Sequence, residues 1–237
     1  DLTLAPSFVG SPVLNGHRDL APKVVLHGLT GPIEGKTYPG EMIAMGSNGD
    51  KWIADVLSFV KNSFGNQLGF VTESEVARIR KETESRTKPW TFEELLSSVP
   101  QVLPNREQWK LTASDNAKDL KYAIDGDLST RYTVGKSMKP GMWVQIELPE
   151  KTEITGIILD AATSRNDYPR GYEVVFSDDG KTWGKPVAKG KAKDKGEPSK
   201  TIIEFKAQPT KFIKITQTGS HRLYWSIHEL DVLGAAK

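Results

Sequence analysis

Cysteine is absent from all 237 residues. That excludes disulfides, thiolate nucleophiles, Cys-ligated zinc, iron–sulfur clusters and thioether attachment of haem. It leaves the compartment open, because disulfide-free proteins occur inside cells and outside them. Long apolar runs are missing too: no stretch of about 18 apolar residues exists, so the sequence predicts no membrane span. Excess charge of one sign is missing. Lys and Arg total 32 against 30 Asp and Glu, a formal net charge of +2. Residues 1–100 hold 10 and 12, and residues 101–237 hold 22 and 18, so neither half is a polycation. Nucleic acid is therefore not the expected partner. Histidine is scarce, with four in the chain. His228-Glu229 opens like a zincin motif, but Val232 stands where the second His is required. Walker A loops, Gly-x-Gly-x-x-Gly fingerprints and Gly-x-Ser-x-Gly elbows are all lacking. The case for an enzyme is poor.

What is present is ordinary for a globular protein: 37% hydrophobic and 26% charged residues, in a chain long enough to bury a core without staples. The chain opens at Asp1 without an initiator Met and without the basic and apolar stretches of a signal peptide, as a processed end or a piece of a longer chain would. Three regions follow. Residues 1–65 combine a Gly- and Pro-rich stretch with a helix expected over 50–62, where Ile53, Val56, Leu57 and Val60 fall at i, i+3, i+4 and i+7. Ser47 and Asp50 suggest a capping box and Gly65 a stop. Residues 66–104 look like a connector with two short helices, opened by Thr72-x-x-Glu75 and Thr91-x-x-Glu94, the second ending before Pro100. The first of these offers only Val76 and Ile79 as an apolar face, so it is expected on a surface.

From residue 108 the period changes from 3.6 to 2. Met142, Val144, Ile146 and Leu148 alternate with polar neighbours and Trp143, and similar runs hold Tyr172, Val174 and Phe176, then Ile213 and Ile215, then Leu230 and Val232. Turn signals separate them, notably Asp178-Asp179-Gly180 and Lys189-Gly190-Lys191. Many short strands at this spacing predict a β-sandwich or barrel over 105–237. The Lys- and Gly-rich segment 189–200 reads as a solvated hairpin loop, with a polyanion site as the alternative.

Several fragments of this half, in order, resemble the discoidin or coagulation factor 5/8 type C family. They include Trp109-Lys110-Leu111-Thr112-Ala113-Ser114, Ala123-Ile124-Asp125-Gly126-Asp127-x-x-Thr130-Arg131-Tyr132, Pro169-Arg170-Gly171-Tyr172-Glu173-Val174 and Trp225-Ser226-Ile227-His228-Glu229-Leu230. Tyr132 stands where the family usually has Trp. The resemblance implies a jelly-roll, galactose-binding-like β-sandwich, which makes the chain mainly β, with end loops that bind carbohydrate or another extracellular ligand. It places Arg165, Asn166, Asp167 and Tyr168 in one candidate ligand loop and His221, Arg222 and Tyr224 in another. Trp225 and Trp183 read as core rather than platform. A structural calcium is also implied, held by Asp125, Asp127, Thr130 and Glu229. An Asx-type turn without metal is the other reading of that loop.

The N-terminal third resembles the distal part of a class I c-type cytochrome, similar to cytochrome domains of large secreted planctomycete-type proteins. The resemblance rests on Val25-Leu26-His27-Gly28-Leu29-Thr30-Gly31-Pro32, Tyr38-Pro39-Gly40-Glu41-Met42-Ile43-Ala44-Met45-Gly46 and the helix beginning at Trp52. It makes Met42 the candidate haem axial ligand and Met45 the reserve, a thioether being a soft ligand that suits haem iron. The Cys-x-x-Cys-His motif that would attach haem c is absent, so a complete pocket would need an upstream segment, with an upstream dehydrogenase domain as the electron donor. The expected setting is periplasmic, cell-surface or secreted. Three functions stay open: a ligand-binding module, a haem domain remnant for electron transfer, and a purely structural interaction domain.

Overall fold

The computed structural model describes residues 4–66, 68–191 and 200–236. Most of the lysine- and glycine-rich segment read as a hairpin loop, residues 192–199, lies outside them. The described residues divide into two compact units, one reaching to Gln101 and one running from Val102 to Ala235.

The first unit is helical. It holds α1 (Pro12–Asn15), α2 (Leu20–His27), a short strand β1 (Leu29–Thr30), α3 (Asp50–Lys61), α4 (Glu73–Glu82), β2 (Trp90–Thr91) paired in parallel with β1, and α5 (Phe92–Ser97). One core gathers Val25, Leu26, Ile53, Leu57, Val76 and Ile79; a second gathers Leu20, Val24, Leu29, Trp90, Leu95 and Val99. The stretch 66–104 is thus no free-standing connector. Its helices complete these cores, and α4, expected on a surface, buries Val76 and Ile79 completely. Two apolar residues at i and i+3 suffice because α3 covers them.

Both threonine capping boxes form. Thr72 and Thr91 each accept the backbone N–H three residues on, while Glu75 and Glu94 reach back to the cap N–H. The box expected at Ser47 does not form: Gly49 is the N-cap of α3 without a side-chain bond. Asp50 instead receives Arg80 Nε at 2.7 Å, a tertiary demand that overrides the local motif.

The second unit is a β-sandwich. After the junction strand β3 (Gln101–Val102) come β4 (Lys110–Ala113), β5 (Tyr132–Thr133), β6 (Met142–Asp160), β7 (Tyr172–Ser177), β8 (Ala188–Gly190), β9 (Lys200–Gln217), β10 (Ser226–Ile227) and β11 (Glu229–Gly234). The long strands β6 and β9 pair antiparallel along most of their length, from Met142 opposite Gln217 to Asp160 opposite Lys200. Their register breaks between Glu147 and Thr152, next to Pro149, and again between Ile154 and Gly156. Those irregularities let the pair bend, so its two ends serve two layers. At one end β4 and β7 flank the pair and β8 extends it; at the other, β11 pairs with Ile154–Asp160 of β6.

The alternation read from the sequence is the core pattern. Val144, Ile146, Ile213, Ile215, Leu230 and Val232 are completely buried, with Trp225 and Tyr132 among them. Tyr132 fills its place with a hydroxyl that donates to Asp115 O at 2.8 Å. Trp183 departs from expectation. It is half-exposed on the outer face, with Lys214 Nζ 4.1 Å from its ring centroid and 5.1 Å from that of Trp143.

Candidate functional site

The residues singled out as ligand-binding occupy two loops of the β unit, 161–171 between β6 and β7 and 218–225 before β10. The first is shaped from inside. Ala162 N–H donates to Asp160 Oδ1 at 2.7 Å, Ser164 N–H to Ala161 O at 2.7 Å, and Asp167 N–H to Ser164 O at 2.8 Å. Tyr168 precedes the buried Pro169, which turns the chain into β7. The second loop is tied to the segment after β5: Met138 N–H donates to Leu223 O, and His221 N–H to Met138 O.

The two loops are then bound to each other. Ser226 donates twice to Asp167, from N–H to the carbonyl and from Oγ to Oδ2, both at 2.9 Å. Thr218 N–H donates to Gly171 O at 2.9 Å. Two glycines permit the approach. A Cβ on Gly171 would lie 2.5 Å from Thr218 Oγ1, and one on Gly219 2.7 Å from Arg170 Cβ. Beneath them, His228 is buried and bridges loops. Its Nδ1–H donates to Leu128 O at 2.8 Å, which leaves Nε2 to accept Ser164 Oγ–H at 3.0 Å, while Arg131 donates to the same Ser164 oxygen.

The sequence reading missed the residue at the centre. Arg170 donates from Nη1 to Tyr168 O at 3.0 Å and from Nη2 to Asn166 O at 2.7 Å. Its guanidinium lies 3.8 Å from the Tyr168 ring centroid and 3.4 Å from His221 Nδ1, which also accepts Leu223 N–H. An Arg between Pro and Gly at a strand entrance was the available signal.

The seven candidates therefore divide. Asp167, Tyr168 and His221 are half-buried and already hold the loops together. Arg165, Asn166, Arg222 and Tyr224 are exposed, and their side chains carry no hydrogen bond or ion pair among the described residues. Tyr224, 44% exposed, is the aromatic surface left open, whereas one face of Tyr168 is covered by Arg170. Such a rim offers forked N–H groups, an amide and an aromatic face to a ligand rich in hydroxyls.

The calcium candidates sit on a different loop. Asp125 Oδ1 accepts Asp127 N–H at 3.0 Å, Asp125 Oδ2 accepts Thr130 Oγ1–H at 2.7 Å, and Asp127 Oδ1 accepts Ser129 N–H at 2.8 Å. This is a closed Asx-type turn. Glu229 Oε1 accepts Gly126 N–H at 2.6 Å, while its Oε2 forms an ion pair with Arg106 Nη1. Among the described residues no group of three or more His, Cys, Asp or Glu side chains is placed to hold a metal. A hard cation needs six to eight oxygens, and a guanidinium stands against one of the four proposed donors. As placed, the set does not fit calcium.

In the helical unit, Met42 is 42% exposed and Met45 37%, so neither thioether is core filling. His27 cannot serve as a haem ligand as it stands: Nε2 is 2.7 Å from Thr83 Oγ1 and the ring packs edge-on against Trp90. With no cysteine in the chain, these residues offer no thioether attachment for haem c.

No helix of the described residues is long and apolar enough to cross a membrane. Among known proteins, the human EGF-like repeat and discoidin I-like domain-containing protein 3 is 37% identical over 54 residues, covering 22% of this chain and 11% of that protein. The matched stretch is thus about one ninth of the relative's length. Two solved structures from Clostridium perfringens are similar to part of this chain. CpGH89CBM32-5, in complex with GalNAc-beta-1,3-galactose, has 23% identity and a TM-score of 0.48, covering 56% of this chain and 99% of that one. The family 32 CBM of NanJ, in complex with galactose, has 20% identity and a TM-score of 0.48, covering 57% and 99%. Nothing about the ligand of this chain follows from these likenesses. The F5/8 type C domain, a binding domain without catalysis of its own, matches residues 108–230. That is more than half of the chain, with its alternating strands, its bent β6–β9 pair and its end loops: the protein belongs to the F5/8 type C domain family.

Proposed function

We propose that the β-sandwich is a carbohydrate-binding module whose site lies on the loops 161–171 and 218–225. One observation carries this reading. Arg165, Asn166, Arg222 and Tyr224 are exposed and uncommitted on loops that Asp167, Arg170 and His221 hold rigid. A rigid frame lowers the ordering cost of binding, and uncommitted donors give sugar hydroxyls their partners. The module would attach the protein to a glycan in the periplasm, at the cell surface or outside the cell. Calorimetric titration with galactose, fucose and N-acetylated sugars, with Arg165→Ala as control, separates this from a purely structural interaction domain. Heat that saturates for one sugar and vanishes in the variant supports the module. No heat for any of them favours the structural reading.

A second reading belongs to the helical unit, as the Met-bearing part of a c-type cytochrome that works with an upstream haem-attaching or dehydrogenase segment. The exposed thioether of Met42, beside the still more exposed Ile43, supports it. Haem would supply one-electron chemistry; this chain's part would be one axial sulfur. The chain alone should retain no added haem and show no Soret band, and supplying a Cys-x-x-Cys-His segment should produce the spectrum of a Met-ligated iron. Failure of both segment and chain to give it would end this reading.

A further inference from the structure

We propose that Arg106 takes the place of a structural cation in the β-sandwich, so that the loop at Asp125–Thr130 is held closed without calcium. The argument starts from what must be joined. The domain entrance, a turn of 3-10 helix over Arg106–Gln108, has to be fastened to the closing strand β11 and to the 125–130 loop. One guanidinium does it. Arg106 Nη1 donates to Glu229 Oε2 and, at 2.9 Å, to Asp231 Oδ1. The other Glu229 oxygen accepts Gly126 N–H at 2.6 Å, which carries the link into the loop.

The geometry leaves a metal little room there. A Cβ built on Gly126 would lie 4.0 Å from Arg106 Nη2, so the guanidinium reaches over the loop itself. A divalent cation bound through Glu229 would sit beside a fixed positive charge. Both carboxylate oxygens of Asp125 and Oδ1 of Asp127 already accept the turn's own N–H and O–H groups, the O–H being that of Thr130. Burial pushes the carboxyls of both Glu229 and Asp231 upward, and Arg106 opposes that shift in each. A single cation shared by a buried and a half-buried carboxylate, Glu229 and Asp231, is the arrangement expected where charge must be neutralised locally. The link spans 123 residues of sequence, so it closes the domain from its first turn to its last strand.

The test uses the full chain. Thermal unfolding of the β-sandwich is followed in millimolar calcium and in excess chelator, for the wild type and for Arg106→Met. The wild type should unfold at the same temperature in both, within about 1 °C, whereas a saturating structural ion would raise the midpoint by roughly 5 °C or more. Such a rise, or stoichiometric calcium retained through gel filtration, overturns the proposal. Arg106→Met should lower the midpoint by several degrees in either buffer, and an unchanged midpoint also overturns it. If that variant does not fold, Arg106→Lys keeps the charge but loses the fork, and it should unfold below the wild type with no calcium dependence.

Discussion

Arg165 and Arg170 stand five residues apart in one loop, yet truncating them should have opposite consequences. Arg170 makes two hydrogen bonds to carbonyls and stacks on Tyr168 at 3.8 Å. A charged donor contributes about 1.5–3 kcal/mol when fully buried, but this one is half-exposed and its carbonyls can regain water, so about 0.5–1 kcal/mol per bond is appropriate. The cation–π contact adds about 0.5–1 kcal/mol. Arg170→Ala should therefore cost roughly 2 kcal/mol and, for a domain of this size, lower the unfolding midpoint by about 7 °C. Arg165 has no partner among the described residues, so Arg165→Ala should stay within about 0.5 kcal/mol of wild type. Its loss should appear in binding instead, as roughly 10- to 100-fold weaker affinity for the sugar if it donates a charged hydrogen bond. Thermal denaturation and calorimetric titration of both variants decide the matter. An Arg170→Ala protein as stable as wild type, or an Arg165→Ala protein that unfolds several degrees early, refutes the division between frame and rim.

Other expectations follow from the core and the turns. Ile154 is completely buried, so Ile154→Ala should cost about 2–5 kcal/mol in denaturant unfolding. Tyr132→Phe should cost about 1 kcal/mol, because the half-buried Asp115 carbonyl loses its donor. Asp179 accepts from the N–H groups of Lys181 and Thr182 and from Ser177 Oγ, which holds its carboxyl far below the usual aspartate value of 3.8. Because the folded pKa is the lower one, its stabilisation is complete above the unfolded value of 3.8 and is lost as pH falls from there through the folded pKa. Denaturant unfolding should show Asp179→Asn weaker than wild type near neutrality, with the gap closing in acid; a gap that widens in acid would contradict the sign.

How much of this was legible follows from the range of each interaction. Strand faces were readable because alternation is local: Val144, Ile146 and Ile215 face inward, as the period of 2 required. Thr72 and Thr91 were readable because a capping box spans only three residues. Ser47 misled because Arg80, far along the chain, claims Asp50. Trp183 misled because aromaticity alone does not say whether a ring faces the core or a lysine such as Lys214. In the ligand loops the residue types were legible, but not which were spent on holding the loops. Arg170 reaches His221 across 51 residues, and Arg106 reaches Glu229 across 123. Residue spacing cannot reveal such partners. Asp125, Asp127 and Thr130 are ambiguous in sequence for a related reason: oxygens that close a turn and oxygens that hold an ion are the same residue types.

The most direct test of the central claim is an amide chemical-shift titration of the full chain with galactose-type sugars. The account predicts saturable shifts confined to the loops 161–171 and 218–225, with the strongest near Arg165, Asn166 and Arg222 and none in Arg165→Ala at the same sugar concentration. Shifts confined to the outer sheet face around Trp143 and Trp183, or none with any of the sugars, would contradict it.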